Sequence, residues 1–300
     1  VIFSAEAVGP EAEAAAAKLE PGDVLMLENT RFYAGEKAND SEFSQALARL
    51  GDIYINDAFG TAHRAHASTA GVAEHLPGGV GLLIEKEIQM LSKAVENPDH
   101  PYVAIMGGAK VSDKIQVIDN LLPKVDTMLI GGAMAYTFLK QQGKNVGESM
   151  VEDDSLGIAA DILEQAQGKI ILPVDHVCAK EIDPDAETKV FEGEIPDGWI
   201  GLDIGPKTAQ MYAEKIREAA LVTWNGPMGY FEIDQFAEGT VACARAMAMC
   251  DGTTIVGGGE TAEAIEQEGL QEKISHVSTG GGASLTFLGG EPLPGIEAVK

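Results

Sequence analysis

The 300-residue chain is 45% hydrophobic and 23% charged, an ordinary composition that supplies apolar residues for about two domain cores. A net charge of −26 with no basic stripe excludes general nucleic-acid binding, and no apolar run approaches the ~18 residues of a membrane-spanning helix. Cys178, Cys243 and Cys250 are widely spaced without a CxxC pair and read as reduced, packing thiols, and the start lacks the basic region of a signal peptide, so a cytoplasmic location is expected. The acidic excess reads as a solvated surface suited to high ionic strength.

Val1–Phe3 reads as the tail of a strand with none before it. Glu11–Leu19 is an Ala-rich helix stopped by Pro21-Gly22. Val24–Glu28 and Asp52–Asn56 read as strands, and between them Asp40-Ser41 caps a helix that runs to Leu50. About three strands are few for a sheet buried on both faces, so this first domain is expected to lack its opening. Leu83–Val95 carries Leu83, Ile84, Ile88, Leu91 and Val95 at helical spacing, ends at Asn97-Pro98, and reads as the connection between domains. Beyond it, short apolar runs at Tyr102–Met106, Asp126–Ile130, Ile170–Val174, Ala220–Trp224, Thr253–Val256 and Ile274–Ser278 alternate with helical segments. That alternation means βαβ units and a parallel sheet. Lys180–Gly201, rich in Asp and Pro, breaks the rhythm and reads as a small antiparallel excursion or a long loop. Trp224 and Phe231 read as core.

Five predicted strand ends carry glycine: GGAK at 107–110, GGAMAYTF at 131–138, NGPMG at 225–229, GGGET at 257–261 and TGGGAS at 279–284. Glycine admits close backbone approach, and a helix start presents free N–H groups and a positive dipole end. In an open parallel sheet these meet beyond the carboxyl ends of the strands. One such loop is as well explained by a tight βα turn; five at one edge point to a nucleotide phosphate site. No Walker A sequence is present, and Gly205-Pro206-Lys207-Thr208 matches only its tail. Lys110 and Lys114 would share one side of a first helical turn if a helix begins near Val111, where lysine opposes the dipole unless it meets a phosphate. Solvated lysines are the alternative. Arg31 and Arg64 follow strands and suit bidentate grip of phosphate or carboxylate, or ion pairs with the abundant acids. His63 and His66 flank Arg64 without a third metal-ligand partner. Glu232 could accept ribose hydroxyls and Glu260 could reach a phosphate-bound Mg²⁺; alone, each reads as a cap or surface charge. Gly257-Gly258-Gly259-Glu260-Thr261-Ala262 also satisfies a dinucleotide fingerprint, but the next strand ends in Ser278 rather than an acid, which counts against an NAD-dependent dehydrogenase.

LENTRFYAGE, INDAFGTAHRAHAS, GGAKVSDKI, VTWNGPMGYFE, GGGETA and STGGGAS, in this order and spacing, resemble the phosphoglycerate kinase family over nearly the whole chain. The resemblance implies a phosphotransferase (EC 2.7.2.3) of glycolysis that exchanges a phosphoryl group between 1,3-bisphosphoglycerate and Mg-ADP, giving 3-phosphoglycerate and ATP. It implies two Rossmann-like α/β domains, each a parallel sheet between helical layers, joined by a helix, with the N-terminal domain incomplete. The divisions expected are a partial phosphoglycerate-binding domain at 1–82, the interdomain helix at 83–97, a nucleotide-binding domain at 98–282, and a return segment at 283–300. By the same resemblance Arg31 and Arg64 bind phosphoglycerate. Lys114, with Lys110 beside it, meets nucleotide phosphate, and Lys114 and Gly282 act on the transferring group. Gly201 and Glu232 line the nucleoside pocket, Gly258, Gly259, Glu260 and Thr261 take the phosphates, and Glu260 holds the Mg²⁺. No membrane or nucleic-acid partner is implied, a monomer is, and hinge closure about Leu83–Asn97 and the C-terminal return is expected. Two departures stand out. Glu260 replaces the family's aspartate. The family's opening D-x-N turn, its transfer arginine and its H-L-G-R motif precede what is here Val1, which leaves a non-catalytic nucleotide-binding module as the alternative.

Overall fold

A computed structural model describes residues 1–299 and divides into two compact units, 1–89 with 291–299 and 90–290.

The smaller unit contains β1 (Ile2–Phe3), α1 (Pro10–Ala16), β2 (Leu25–Met26), α2 (Ala34–Lys37), α3 (Ser41–Ala48), β3 (Tyr54–Asn56) and β4 (Gly78–Val80). The two strand pairs, β1 with β2 and β3 with β4, are parallel. The Asp40 side chain accepts from the Phe43 N–H, as its sequence position predicts for a cap of α3. Val24–Glu28 contracts to β2, and β4 was not foreseen because Gly78-Gly79 carries no strand signal. α4 (Leu82–Val95) follows, one residue longer at its start than its periodicity predicts. α12 (Pro294–Glu297) rejoins this unit, and Asn56 Nδ2 donates to the Gly295 carbonyl at 2.8 Å.

In the larger unit the order is β5 (Tyr102–Met106), α5 (Ile115–Leu121), β6 (Thr127–Ile130), α6 (Met134–Gln141), α7 (Leu156–Ala166), β7 (Ile170–Ile171), β8 (Asp175–Ala179), β9 (Lys189–Glu192), β10 (Ile200–Ile204), α8 (Pro206–Arg217), β11 (Leu221–Asn225), α9 (Glu238–Ala248), β12 (Thr253–Gly257), α10 (Gly259–Gln267), β13 (His276–Val277) and α11 (Gly282–Leu288). Six strands form one parallel sheet in the order β13-β12-β11-β5-β6-β7. The chain winds outward from β5 through β6 to β7, returns to lay β11 against the other side of β5, and winds outward again. Crossovers of the usual right hand, run in opposite directions from β5, would put helices on both faces and open a crevice beyond the β5 and β11 ends. The antiparallel excursion is a separate three-stranded sheet, β10-β8-β9.

The central strands are buried along their whole length, which is why they read as unbroken apolar runs. Val103, Ile105, Val222, Trp224 and Val256 pack with Tyr212, Ile216, Cys243 and Met247 from α8 and α9. Tyr212 Oη donates to the carbonyl of Ile130 at 2.7 Å, tying α8 to the sheet. Trp224 and Phe231 are both buried, as expected. The three cysteines are unpaired. No described helix is long and apolar enough to cross a membrane.

Candidate active site

The glycine-bearing loops converge at one sheet edge because their strands are in register. Asn225 pairs with Met106 on one side and with Gly257 on the other, so three loops begin at the same level. They then lock to one another through backbone. Gly107 N donates to Asn225 O, Gly108 N to Pro227 O, and Gly132 N to Met228 O, at 2.8–2.9 Å. Gly226 has φ +89°, and a Cβ there would lie 2.3 Å from the Gly107 carbonyl oxygen, so this position admits only glycine. Gly259 and Gly281 differ: a Cβ at either would meet nothing within 4 Å. One set of glycines therefore seals loop to loop, and the other faces open space.

That open space is a polar cleft of about 650 Å³ lined by Lys110, Asp113, Lys114, Asn225, Gly258, Gly259, Glu260, Thr261 and Gly282. Lys114 does not sit in the first turn of a helix beginning near Val111. Residues 111–114 form a turn closed by the Lys114 N–H on the Val111 carbonyl, and Glu152 holds Ser112 by its N–H (3.0 Å) and hydroxyl (2.6 Å). Helix α5 therefore starts at Ile115 with Lys114 as its N-cap, while Lys110 stays in the exposed loop before it. Lys114 is 9% exposed, and its ammonium donates to Asn225 Oδ1. Burial pushes its pKa below the usual lysine range, with Asp113 and Glu260 opposing. Asn225 is 2% exposed, and its Nδ2 has no hydrogen-bond partner among the described residues. The Thr261 hydroxyl, also buried, accepts from the Gly226 N–H at 2.7 Å and ties α10 to the NGPMG loop. Glu260 is exposed on the first turn of α10.

Gly201 and Glu232 line an adjoining cleft of about 180 Å³ with Tyr136, Leu202, Met228 and Tyr230. Gly108, Ala109 and Glu260 border both clefts, so the two are continuous. Every residue predicted for nucleotide binding thus lies on this double cleft. Reading the sequence missed Asn225 and Asp113 as separate residues; both stand in motifs it quoted, WNGPMG and GGAKVSDKI.

In the smaller unit the Asn29 side chain caps the turn at Thr30–Phe32 by accepting from the Arg31 N–H at 3.0 Å. Arg31 lines a cavity of about 320 Å³ with Asn56, Asp57, His66 and Ser68. Arg64 lies alongside, its Nε 3.2 Å from His63 Nε2. Both arginines act on the same imidazoles: His63 and His66 are pushed below the usual histidine range by burial, with Glu36 opposing the shift at His66 and Arg31 and Arg64 adding to it at both. Two guanidinium groups and two histidines therefore lie close together, with the buried Glu36 carboxylate 3.8 Å from His66 and Asp57 on the same cavity.

A phosphoglycerate kinase family model matches residues 1–291. The chain belongs to the phosphoglycerate kinase family. Phosphoglycerate kinases of Pseudothermotoga lettingae and Moorella thermoacetica are 55% and 56% identical over 304 and 298 residues, which covers 100% and 98% of this chain and 77% and 76% of theirs. The solved phosphoglycerate kinase of Coxiella burnetii superposes with a TM-score of 0.88 at 44% identity, over 94% of this chain and 74% of that one. That of Pyrococcus horikoshii gives 0.87 at 33% identity, over 100% and 78%. The chain thus spans about three quarters of the length of these phosphoglycerate kinases. Membership makes it one of the ATP-binding transferases of glycolysis.

Proposed function

We propose that the double cleft holds Mg-ADP or Mg-ATP and that the chain transfers a phosphoryl group reversibly between 1,3-bisphosphoglycerate and ADP, giving 3-phosphoglycerate and ATP. The observation that carries this reading is the meeting of Lys114, Asn225 and two glycine turns, at 258–259 and 281–282, around one polar cleft continuous with a less polar one. Phosphoryl transfer asks little covalent chemistry of the protein; it needs positioning and neutralised equatorial oxygens. Lys114, desolvated and fixed by Asn225, supplies a directed positive charge that is stronger than the same charge in water. The orphaned amide of Asn225 supplies a neutral donor to a phosphate oxygen. Gly258, Gly259 and Thr261 hold the nucleotide phosphates, with Lys110 at the mouth, and Gly282 faces the transferring group. Gly201 and Glu232 seat the nucleoside. Arg31 and Arg64 bind the phosphoglycerate.

Among the described residues no group of three His, Cys, Asp or Glu side chains stands ready to hold a metal ion. That suits Mg²⁺, which keeps several waters and takes one or two carboxylates together with substrate phosphates. Of the two carboxylates that line the cleft, Asp113 and Glu260, we assign Glu260 to the ion, which would supply charge neutralisation on the phosphates.

The test is calorimetric titration of the chain with ADP, with and without Mg²⁺ and with NAD as control, followed by a coupled assay of transfer. Metal-dependent ADP binding without an NAD signal, and ATP formed from 1,3-bisphosphoglycerate, are the expected results. A folded chain that ignores ADP overturns the reading. Binding without transfer leaves a nucleotide-binding module.

A further inference from the structure

Tyr136 lies on α6 within the GGAMAYTF stretch and lines the smaller cleft with Gly201, Leu202, Tyr230 and Glu232. It is 4% exposed, and its ring packs against His176 at a centroid distance of 5.5 Å. Its hydroxyl end abuts β10: a Cβ on Gly201 would lie 2.2 Å from Oη and 2.3 Å from Cζ. Position 201 is glycine because the phenol occupies that space.

A buried tyrosine hydroxyl ordinarily finds a partner. Here no described protein group makes a hydrogen bond to it, while tight bonds surround it: Gly201 N donates to Ser149 Oγ at 2.9 Å, and Asp203 accepts from Ile204 and Gly239. Burial holds the phenol well above its ordinary pKa, with Cys178 and Asp203 acting in the same direction, so it remains a neutral O–H that can donate and accept. The remaining polar side chains along this cleft, Tyr230, Glu232 and Glu260, are exposed. Its other walls are largely apolar: Ala109, Ala133, Leu202, Pro227 and Met228. Such walls hold a flat ring by dispersion and give its edge no direction.

We infer that the Tyr136 hydroxyl hydrogen-bonds the edge of the nucleotide base and fixes how the base is seated, which makes Tyr136 a specificity-determining residue of the site. The inference rests on the nucleotide reading above. A ring against the apolar walls turns its rim of donors and acceptors toward the polar groups of the lining, of which the Tyr136 hydroxyl is the buried one and the Tyr230 hydroxyl the exposed one. Sequence reading pointed to Gly201 but not to the residue whose presence requires it.

The experiment uses Tyr136→Phe in the full chain and measures the affinity of ADP and of inorganic pyrophosphate, both with Mg²⁺, together with the thermal midpoint. ADP should weaken about three- to tenfold, as expected for one lost hydrogen bond. Pyrophosphate, which has no base, should bind as before, and the midpoint should hold or rise slightly, since the hydroxyl has no partner in the protein. Equal ADP affinity in both chains overturns the assignment, as does an equal loss for ADP and pyrophosphate, which would mark a structural role. A wild-type chain that binds no ADP overturns the nucleotide reading and this assignment with it.

Discussion

Lys114 and Asn225, 111 residues apart in sequence, are joined side chain to side chain and buried together at the edge of the central sheet. The bond spends the amide oxygen on the ammonium and leaves the amide nitrogen free toward Gly258, 3.0 Å from where a Cβ on that glycine would stand. Removing the charge should be felt in chemistry first. Lys114→Ala is expected to lower the transfer rate by at least about 100-fold, the scale for losing one preorganised electrostatic partner. Unfolding should shift by only about 1–3 kcal/mol, the range for one newly unsatisfied buried acceptor. Rate and denaturation midpoint measured on one preparation decide it; parallel loss of both would refute the role.

The two classes of glycine make a paired prediction. Gly226→Ala forces a side chain into the left-handed region and against the Gly107 carbonyl, so it should destabilise the larger unit by several kcal/mol and abolish ADP binding with it. Gly259→Ala meets nothing and should leave the thermal midpoint within about 2 °C while weakening ADP at least tenfold, because the new methyl stands where phosphate would approach. Unimpaired ADP binding by Gly259→Ala would remove phosphate from that turn.

His176 on β8 is wholly buried, and neither ring nitrogen has a hydrogen-bond partner of good geometry. Burial pushes its pKa from 6.5 down to about 4, with Lys144 adding to the shift and Asp175 and the Gly193 backbone opposing it. Its folded pKa is below its unfolded one, so protonation favours the unfolded chain. Stability from this group is complete above pH 6.5 and falls as pH drops toward 4, by about 3 kcal/mol in all. His176→Phe should flatten that part of the profile. Denaturant midpoints between about pH 7 and pH 4.5 would show it, and identical slopes in both chains would refute it.

A net charge of −26 implies self-repulsion that salt screens. The thermal midpoint should rise by several degrees between about 0.1 M and about 1 M KCl, over which the screening length falls from ~10 to ~3 Å. A midpoint indifferent to KCl would mean that the acids are spaced well enough not to repel.

Fold legibility followed burial. β5 was readable to the residue because it is apolar along its whole length, and β11 and β12 to within one residue. β7 stops at Ile171, two residues before Pro173, which has no N–H for a ladder. β13 is shortened because Ser275 and Thr254 exchange backbone and side-chain bonds at 3.0–3.1 Å where ladder bonds were expected. The α5 start was misplaced because Glu152, 40 residues from Ser112, decides it. In the site, glycines and lysines announced themselves by motif. Asn225 and Tyr136 did not, since an asparagine ending a strand and a tyrosine on a helix gain their meaning only from Lys114 and Gly201 arriving beside them.

The interlocking of the 107–108, 131–132 and 226–228 loops has a thermodynamic side. Loops rich in glycine are ordinarily the costliest segments of a chain to order on meeting a ligand. Here that ordering belongs to folding, completed by bonds the loops make to one another beyond the last rung of the sheet. A nucleotide would meet these three loops already ordered, so its affinity would be little diminished by loss of their freedom. In these three loops the flexibility usually credited to such sequences is used once, during assembly.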